Sequence, residues 1–174
     1  DVGPVIDQDA RDKVLRYVEI GRNEAREVLS VKVEGQEQEG TPGFFVGPHV
    51  FADVSPECRL AREEIFGPVL AVMKARDLDD AIAIANSVDY ALTAGIYSRS
   101  PADLDRASRE LEVGNLYLNR PITGAMVNRQ PFGGFKLSGI GSQAGGPDYL
   151  RQFVLPRTIT ENTLRRGFAP PSET

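Results

Sequence analysis

The chain has no tryptophan, one cysteine, one histidine and two methionines in 174 residues. A single thiol, Cys58, cannot close an internal disulfide and fits a reducing compartment such as the cytoplasm. One histidine and one cysteine cannot alone assemble a zinc site, so no metal centre is expected. No apolar run approaches the roughly 20 residues of a membrane-spanning helix. Excess positive charge is also lacking: the net charge of −5 argues against nucleic acid or an anionic membrane as partner. No signal peptide is expected from these residues, and a start at Asp1 rather than methionine is what a fragment or a processed chain would give.

What remains is ordinary for a globular protein, with 41% hydrophobic residues and length enough for one core. Pro4 keeps the start extended. From about Asp7, Ala10, Val14, Leu15 and Val18 fall on one stripe at helical spacing, with Asp7 and Asp9 at the positive end of the helix. Val28–Glu34 predicts a short strand, Gly35–Gly43 an exposed loop, and Phe44–Val54 a strand pair or one strand interrupted at Gly47-Pro48. Val69–Met73 is a continuous apolar run, as in a strand buried on both faces. Leu78–Asn86 predicts a helix with Asp79 and Asp80 in its first turn, and Leu92–Tyr97 a strand. Ser100-Pro101-Ala102-Asp103 starts a helix with a cap, a first-turn proline and an acid, and Gly114 closes it. Asn115–Asn119 predicts a strand placed centrally or nearly so.

Strand, helix, strand, helix, strand over Val69–Asn119 gives the fold class: α/β, an open and mostly parallel sheet with flanking helices. Pro121–Gly146 is then a 26-residue excursion, long enough to carry function. Its centre, Gln130–Gly141, holds four glycines, two phenylalanines and one proline in twelve residues. Glycine serves where backbone needs positive φ or close approach, so composition alone describes a turn between elements or a ligand-facing wall. Ligands of open α/β sheets bind beyond the carboxyl ends of the strands, which is where this loop follows. Pro147–Phe153 suggests a short helix and Val154–Thr160 a final strand. Residues 163–174 form a polar, proline-rich tail expected to be loosely held.

Glu63-Glu64-Ile65-Phe66-Gly67-Pro68 resembles the EExFGP motif of aldehyde dehydrogenases. Pro131-Phe132-Gly133-Gly134 with Lys136, Ser138 and Gly139 resembles their PFGGxKxSG motif. Gly3-Pro4-Val5-Ile6 and the Gly43–Val54 region are similar too, so the resemblance covers residues 1–162, the distal part of that family's catalytic domain. Ile122-Thr123-Gly124-Ala125 and the ending Thr158–Pro170 are similar to the branch that oxidises L-glutamate γ-semialdehyde (1-pyrroline-5-carboxylate) in proline breakdown. That branch occurs as single-function enzymes and within bifunctional proteins.

The resemblance implies a reaction in which a cysteine thiolate attacks the aldehyde, hydride passes to NAD, and the thioester is hydrolysed. It places the nucleophile, the general base and the nucleotide-binding domain upstream of the segment like Gly3–Ile6. Cys58 does not match the nucleophile's motif, so no catalytic residue is expected here and the chain alone should be inactive. Glu64 resembles the acid that accepts from the nicotinamide ribose hydroxyls; as a plain loop acid it would pair with Arg62, and Glu63 reads as a surface acid. Phe66 would pack by the nicotinamide or in the core. Gly124 and Ala125 resemble the pair whose backbone N–H groups bind the substrate carboxylate, and Phe132 would lie along the substrate's methylenes. Lys136 and Ser138 are expected to shape the loop, and Arg120 and Arg129 could steer an acidic substrate. The expected partners are a small aldehyde and further copies of the chain, joined through the C-terminal strand.

Overall fold

The computed structural model describes residues 2–33, 43–124 and 126–162. Its first unit is built on helix α1 (Gln8–Glu24). Asp7 caps it, accepting from the Ala10 amide at 2.8 Å. Val14 and Val18 turn inward, buried to 0% and 2% exposure. Val18 packs with the also fully buried Phe51 of strand β2 (His49–Ala52). A Cβ on Gly21 would come within 2.7 Å of the Phe51 ring, so glycine lets helix and strand approach. Strand β1 (Arg26–Ser30) pairs antiparallel with β2, with an irregularity between Glu27 and Leu29. Beyond the short helix α2 (Arg59–Arg62), strand β3 (Val69–Ala71) pairs parallel with the other side of β2.

The second unit begins at helix α3 (Leu78–Asn86), capped by Asp77 through the Asp80 amide at 2.9 Å. Strand β4 (Tyr90–Ala91) precedes β5 (Thr93–Ile96). Helix α4 (Pro101–Glu110) starts as expected, with Ser100 accepting from the Asp103 amide at 3.2 Å and Pro101 in the first turn. It returns the chain to β6 (Asn115–Leu118), parallel to β5 in the register Thr93↔Asn115 to Ile96↔Leu118. Strand β7 (Phe135–Lys136) comes back from the long loop to pair antiparallel with β4. A 3₁₀ turn follows over Tyr149–Phe153.

The α/β class and the parallel pairings hold, but they are distributed over separate ladders: β1-β2-β3, β4-β7 and β5-β6. Among the described residues, the run Val69–Met73 therefore does not continue the sheet of β5, and β6 pairs with β5 at one edge rather than lying centrally. Val69–Met73 is not buried on both faces either; Leu70 and Val72 are exposed. The expected strand Val28–Glu34 starts earlier and stops at Ser30. Only His49–Ala52 of Phe44–Val54 is strand. Pro48, which lacks an N–H, precedes it, and Asp53 at φ 57° bends the chain out of the ladder. Helix α4 ends at Glu110, ahead of Gly114. Residues 154–160 form no strand within the chain and are exposed, so the expected strand Val154–Thr160 finds no partner edge here. The loop expected at Gly35–Gly43 lies, apart from Gly43, outside the described residues, as does the tail 163–174. Among the described residues, no helix is long and apolar enough to cross a membrane.

Candidate active-site surface

The segment Glu63–Pro68 is pinned to α1 from several directions. Lys13 and Tyr17 lie one helical turn apart and so share a face. Lys13 Nζ donates to the Glu64 carbonyl at 2.7 Å, and the Tyr17 hydroxyl donates to the Glu63 carboxylate. Arg59 completes the hold on Glu63 with a two-pronged pair at 2.9 and 3.0 Å. That guanidinium, with the Tyr17 hydroxyl second, draws the Glu63 carboxyl down to about 2. Ile65 packs against the core cluster of Val18, Phe51, Val54 and Leu60. A Cβ on Gly67 would fall 2.3 Å from a Val14 methyl, so the motif's glycine allows the segment to close onto α1.

The result separates two adjacent acids. Glu63 is consumed by structure, whereas the Glu64 carboxylate is exposed and meets no partner among the described residues. Arg62 does not pair with it; the guanidinium turns to Glu57 at 3.2 Å and to the Pro56 carbonyl at 3.2 Å. Phe66 is 81% exposed, with φ at 60°. A left-handed backbone at a phenylalanine is unfavourable, and here it turns the ring outward, so core packing is not its role. The residue pattern carries no signal for that conformation.

A cleft of about 350 Å³ opens between this segment and the second unit. Glu63 and Glu64 border it on one side, Tyr90, Thr93 and Val113 on another, and Ser138 reaches it from the glycine-rich loop. The Ser138 hydroxyl accepts from the Ala91 amide at 2.9 Å. Lys136 Nζ donates to the carbonyls of Asn86 (2.7 Å) and Val88 (3.2 Å) and pairs with Glu112 at 3.1 Å. Both side chains thus fasten the loop, as the sequence suggested. Gly114 and Gly133 meet backbone to backbone: a Cβ on Gly114 would lie 1.9 Å from the Gly133 carbonyl oxygen. Asn115 bridges the same place, donating to the Pro131 carbonyl at 2.9 Å and accepting from the Gly133 amide at 3.1 Å.

Phe132 is half-buried, its backbone exchanging bonds with Ala144 at 3.0 and 2.9 Å. It does not line the cleft, and neither does Gly124. Gly124 occupies an exposed turn at φ 109°, a conformation suited to glycine. Its carbonyl accepts from the Tyr117 hydroxyl at 3.4 Å and from the Gln130 side-chain nitrogen at 2.7 Å. Its N–H donates to no acceptor among the described residues. Ala125 lies outside the described residues. Arg120, which the sequence offered as a steering charge, is turned inward onto the turn: it lies 5.2 Å over the Tyr117 ring and donates to the Thr123 carbonyl at 3.2 Å. Arg129 is exposed. Gln130 was missed as a side chain that shapes this turn; its place beside Pro131-Phe132 was the available signal. Cys58 is half-buried at the start of α2 and packs against the core. Among the described residues, no cluster of His, Cys, Asp or Glu could hold a metal ion.

The Aldehyde dehydrogenase family matches residues 1–159, and the chain belongs to that family. A 1-pyrroline-5-carboxylate dehydrogenase from Geobacillus kaustophilus is 51% identical over 160 residues, 92% of this chain and 30% of the relative. Among solved structures, 1-pyrroline-5-carboxylate dehydrogenase from Thermus with bound NAD aligns with a TM-score of 0.79 and 50% identity, covering 86% of this chain and 28% of that one. Proline utilization A from Bdellovibrio bacteriovorus aligns with a TM-score of 0.86 and 54% identity, covering 96% of this chain and 17% of that one. The chain thus spans less than a third of the length of each of these relatives.

Proposed function

We propose that this chain is the distal part of the catalytic domain of an NAD-dependent dehydrogenase that oxidises L-glutamate γ-semialdehyde (1-pyrroline-5-carboxylate) to L-glutamate. The observation that carries the reading is the division of labour at Glu63-Glu64: one carboxylate is tied to Arg59 and Tyr17, the other is exposed, without a partner among the described residues, near an exposed Phe66. A free carboxylate offers two acceptor oxygens to a vicinal diol, and an exposed ring offers a flat face to a nicotinamide. These residues fit NAD, which when bound takes up the hydride released as the aldehyde carbon is oxidised. Glu64 would orient the ribose, and Phe66 would limit how the ring can lie. At the other end of the substrate, the N–H groups of Gly124 and Ala125 would bind the carboxylate, with Phe132 along the methylenes. The names of the similar dehydrogenases support this choice of aldehyde.

The attacking thiolate is assigned to polypeptide outside this chain, because Cys58, half-buried against the core cluster, does not match the nucleophile's motif. The 174-residue chain, incubated with NAD and glutamate semialdehyde, should therefore produce no NADH, whereas the intact dehydrogenase carrying it should. Turnover by the chain alone would sink the assignment of the nucleophile.

A second reading rests on a different surface. Leu150, Phe153, Val154, Leu155 and Ile159 are all more than 60% exposed. Such a stretch suits an assembly contact, in which 154–160 would become a strand on another chain's sheet edge. Sedimentation across a range of concentrations tests this; a monomer throughout would remove it.

A further inference from the structure

Arg120, Tyr117 and Gln130 form a frame around the backbone of Thr123 and Gly124. Tyr117 is the fixed post, a buried residue of β6. The Arg120 guanidinium stacks on its ring at 5.2 Å, donates through Nη2 to the Thr123 carbonyl at 3.2 Å, and through Nη1 to the Gln130 side-chain oxygen at 2.7 Å. The Gln130 side-chain nitrogen then donates to the Gly124 carbonyl at 2.7 Å. Gln130 is itself anchored, its backbone exchanging bonds with Met126 at 2.9 and 2.7 Å.

This frame holds one side of the turn only. Among the described residues no peptide bond is cis, so the Thr123–Gly124 peptide is trans and planar. Its N–H therefore points opposite to the carbonyl that Arg120 holds. Fixing the Thr123 carbonyl thus fixes the direction of the Gly124 N–H, which is left without an acceptor among the described residues. The donors of Arg120 that reach this turn are engaged by Thr123 and Gln130, so its part is geometric. We propose that Arg120 and Gln130 are positioning residues for the substrate carboxylate: they aim the Gly124 amide and thereby set the preference for carboxylated over plain aldehydes. This rests on the reading of Gly124 as the carboxylate anchor.

The test compares Arg120→Met, Arg120→Lys and Gln130→Met in the intact dehydrogenase, using glutamate semialdehyde, an uncarboxylated aldehyde (propanal) and NAD. A misaimed charge-assisted bond predicts a KM for glutamate semialdehyde raised roughly tenfold to a hundredfold. The kcat for glutamate semialdehyde and the KM for propanal and NAD stay near wild type. Arg120→Lys should behave as Arg120→Met, because an ammonium cannot stack on Tyr117 and reach both acceptors at once. Wild-type KM in Arg120→Lys would make Arg120 a mere source of charge and overturn the proposal. So would equal losses on both aldehydes, or no change on either. If Arg120→Met unfolds, Gln130→Met carries the same comparison, since it removes the acceptor that steadies Arg120 Nη1 over the turn together with the donor to the Gly124 carbonyl. A wild-type enzyme without preference for the carboxylated aldehyde defeats the anchor itself, an outcome visible before any variant is made.

Discussion

The Lys136 ammonium donates to the carbonyl of Asn86 at 2.7 Å, tying the last turn of α3 to a loop 50 residues further along. A cation at a helix C-terminus meets unsatisfied carbonyls and the negative end of the helix dipole. Lys136→Met removes that contact together with those to Val88 and Glu112. It should lower stability by about 1–3 kcal/mol. Thermal denaturation would read this as a lower Tm, and an unchanged Tm would show that the fastening is weak.

The two neighbouring acids should separate cleanly by phenotype. Glu64→Gln, in the intact dehydrogenase, should raise the KM for NAD by about tenfold or more while leaving Tm unchanged. Glu63→Gln should do the reverse in character, lowering Tm as Arg59 and Tyr17 lose their acceptor. Steady-state kinetics beside a melting curve distinguishes them; a Glu64→Gln enzyme with normal NAD kinetics would remove that residue from the cofactor's site.

Glu63 also predicts a pH dependence. Its carboxyl is drawn from an ordinary 4.5 to about 2 in the folded chain, first by Arg59 and then by Tyr17. A depressed acid contributes stability that is complete above its unfolded value and is lost as pH falls through the folded one. The loss should therefore run from about pH 4.5 down to about pH 2. Partial exposure and salt screening keep it modest. Arg59→Met should flatten this part of an acid-denaturation profile, and an unaltered profile would assign acid sensitivity elsewhere.

Bulk at the proposed carboxylate anchor should be selective in its damage. Ala125→Leu should reduce kcat/KM for glutamate semialdehyde by roughly a hundredfold, in line with loss of charge-assisted bonds. Gly124→Val adds backbone strain, since φ is 109° there. Kinetics on carboxylated and plain aldehydes would check this; full activity of Ala125→Leu on glutamate semialdehyde would displace the anchor.

Helix ends were legible because their signals are local. Ser100-Pro101 announced α4, and Ser100 caps it as expected; Asp7 was placed at the charged start of α1 and proves to be its cap. Strand partners were not legible, because pairing joins residues far apart in sequence. Nothing in Val69–Met73 says that its neighbour is β2 rather than β5. At the site, the motif pointed to Lys136 and Ser138 as residues that shape the loop, and both do fasten it. The outward turn of Phe66 depends on a positive φ that the surrounding fold imposes. The inward turn of Arg120 depends on Tyr117 and Gln130, contacts that neighbouring residues do not announce.

The contact of Gly114 with Gly133 has a consequence for how this surface can vary. Where two main chains touch, the information is carried by a missing atom rather than by a chemical group. Any side chain at Gly114 introduces the same Cβ against a carbonyl oxygen that cannot yield as a flexible side chain would. A substitution series there should give a flat profile, with alanine nearly as harmful as leucine or aspartate. At Glu64 the profile should instead be graded by charge and hydrogen-bonding capacity. Variation of this surface is therefore open to its protruding side chains and closed along its glycine seam.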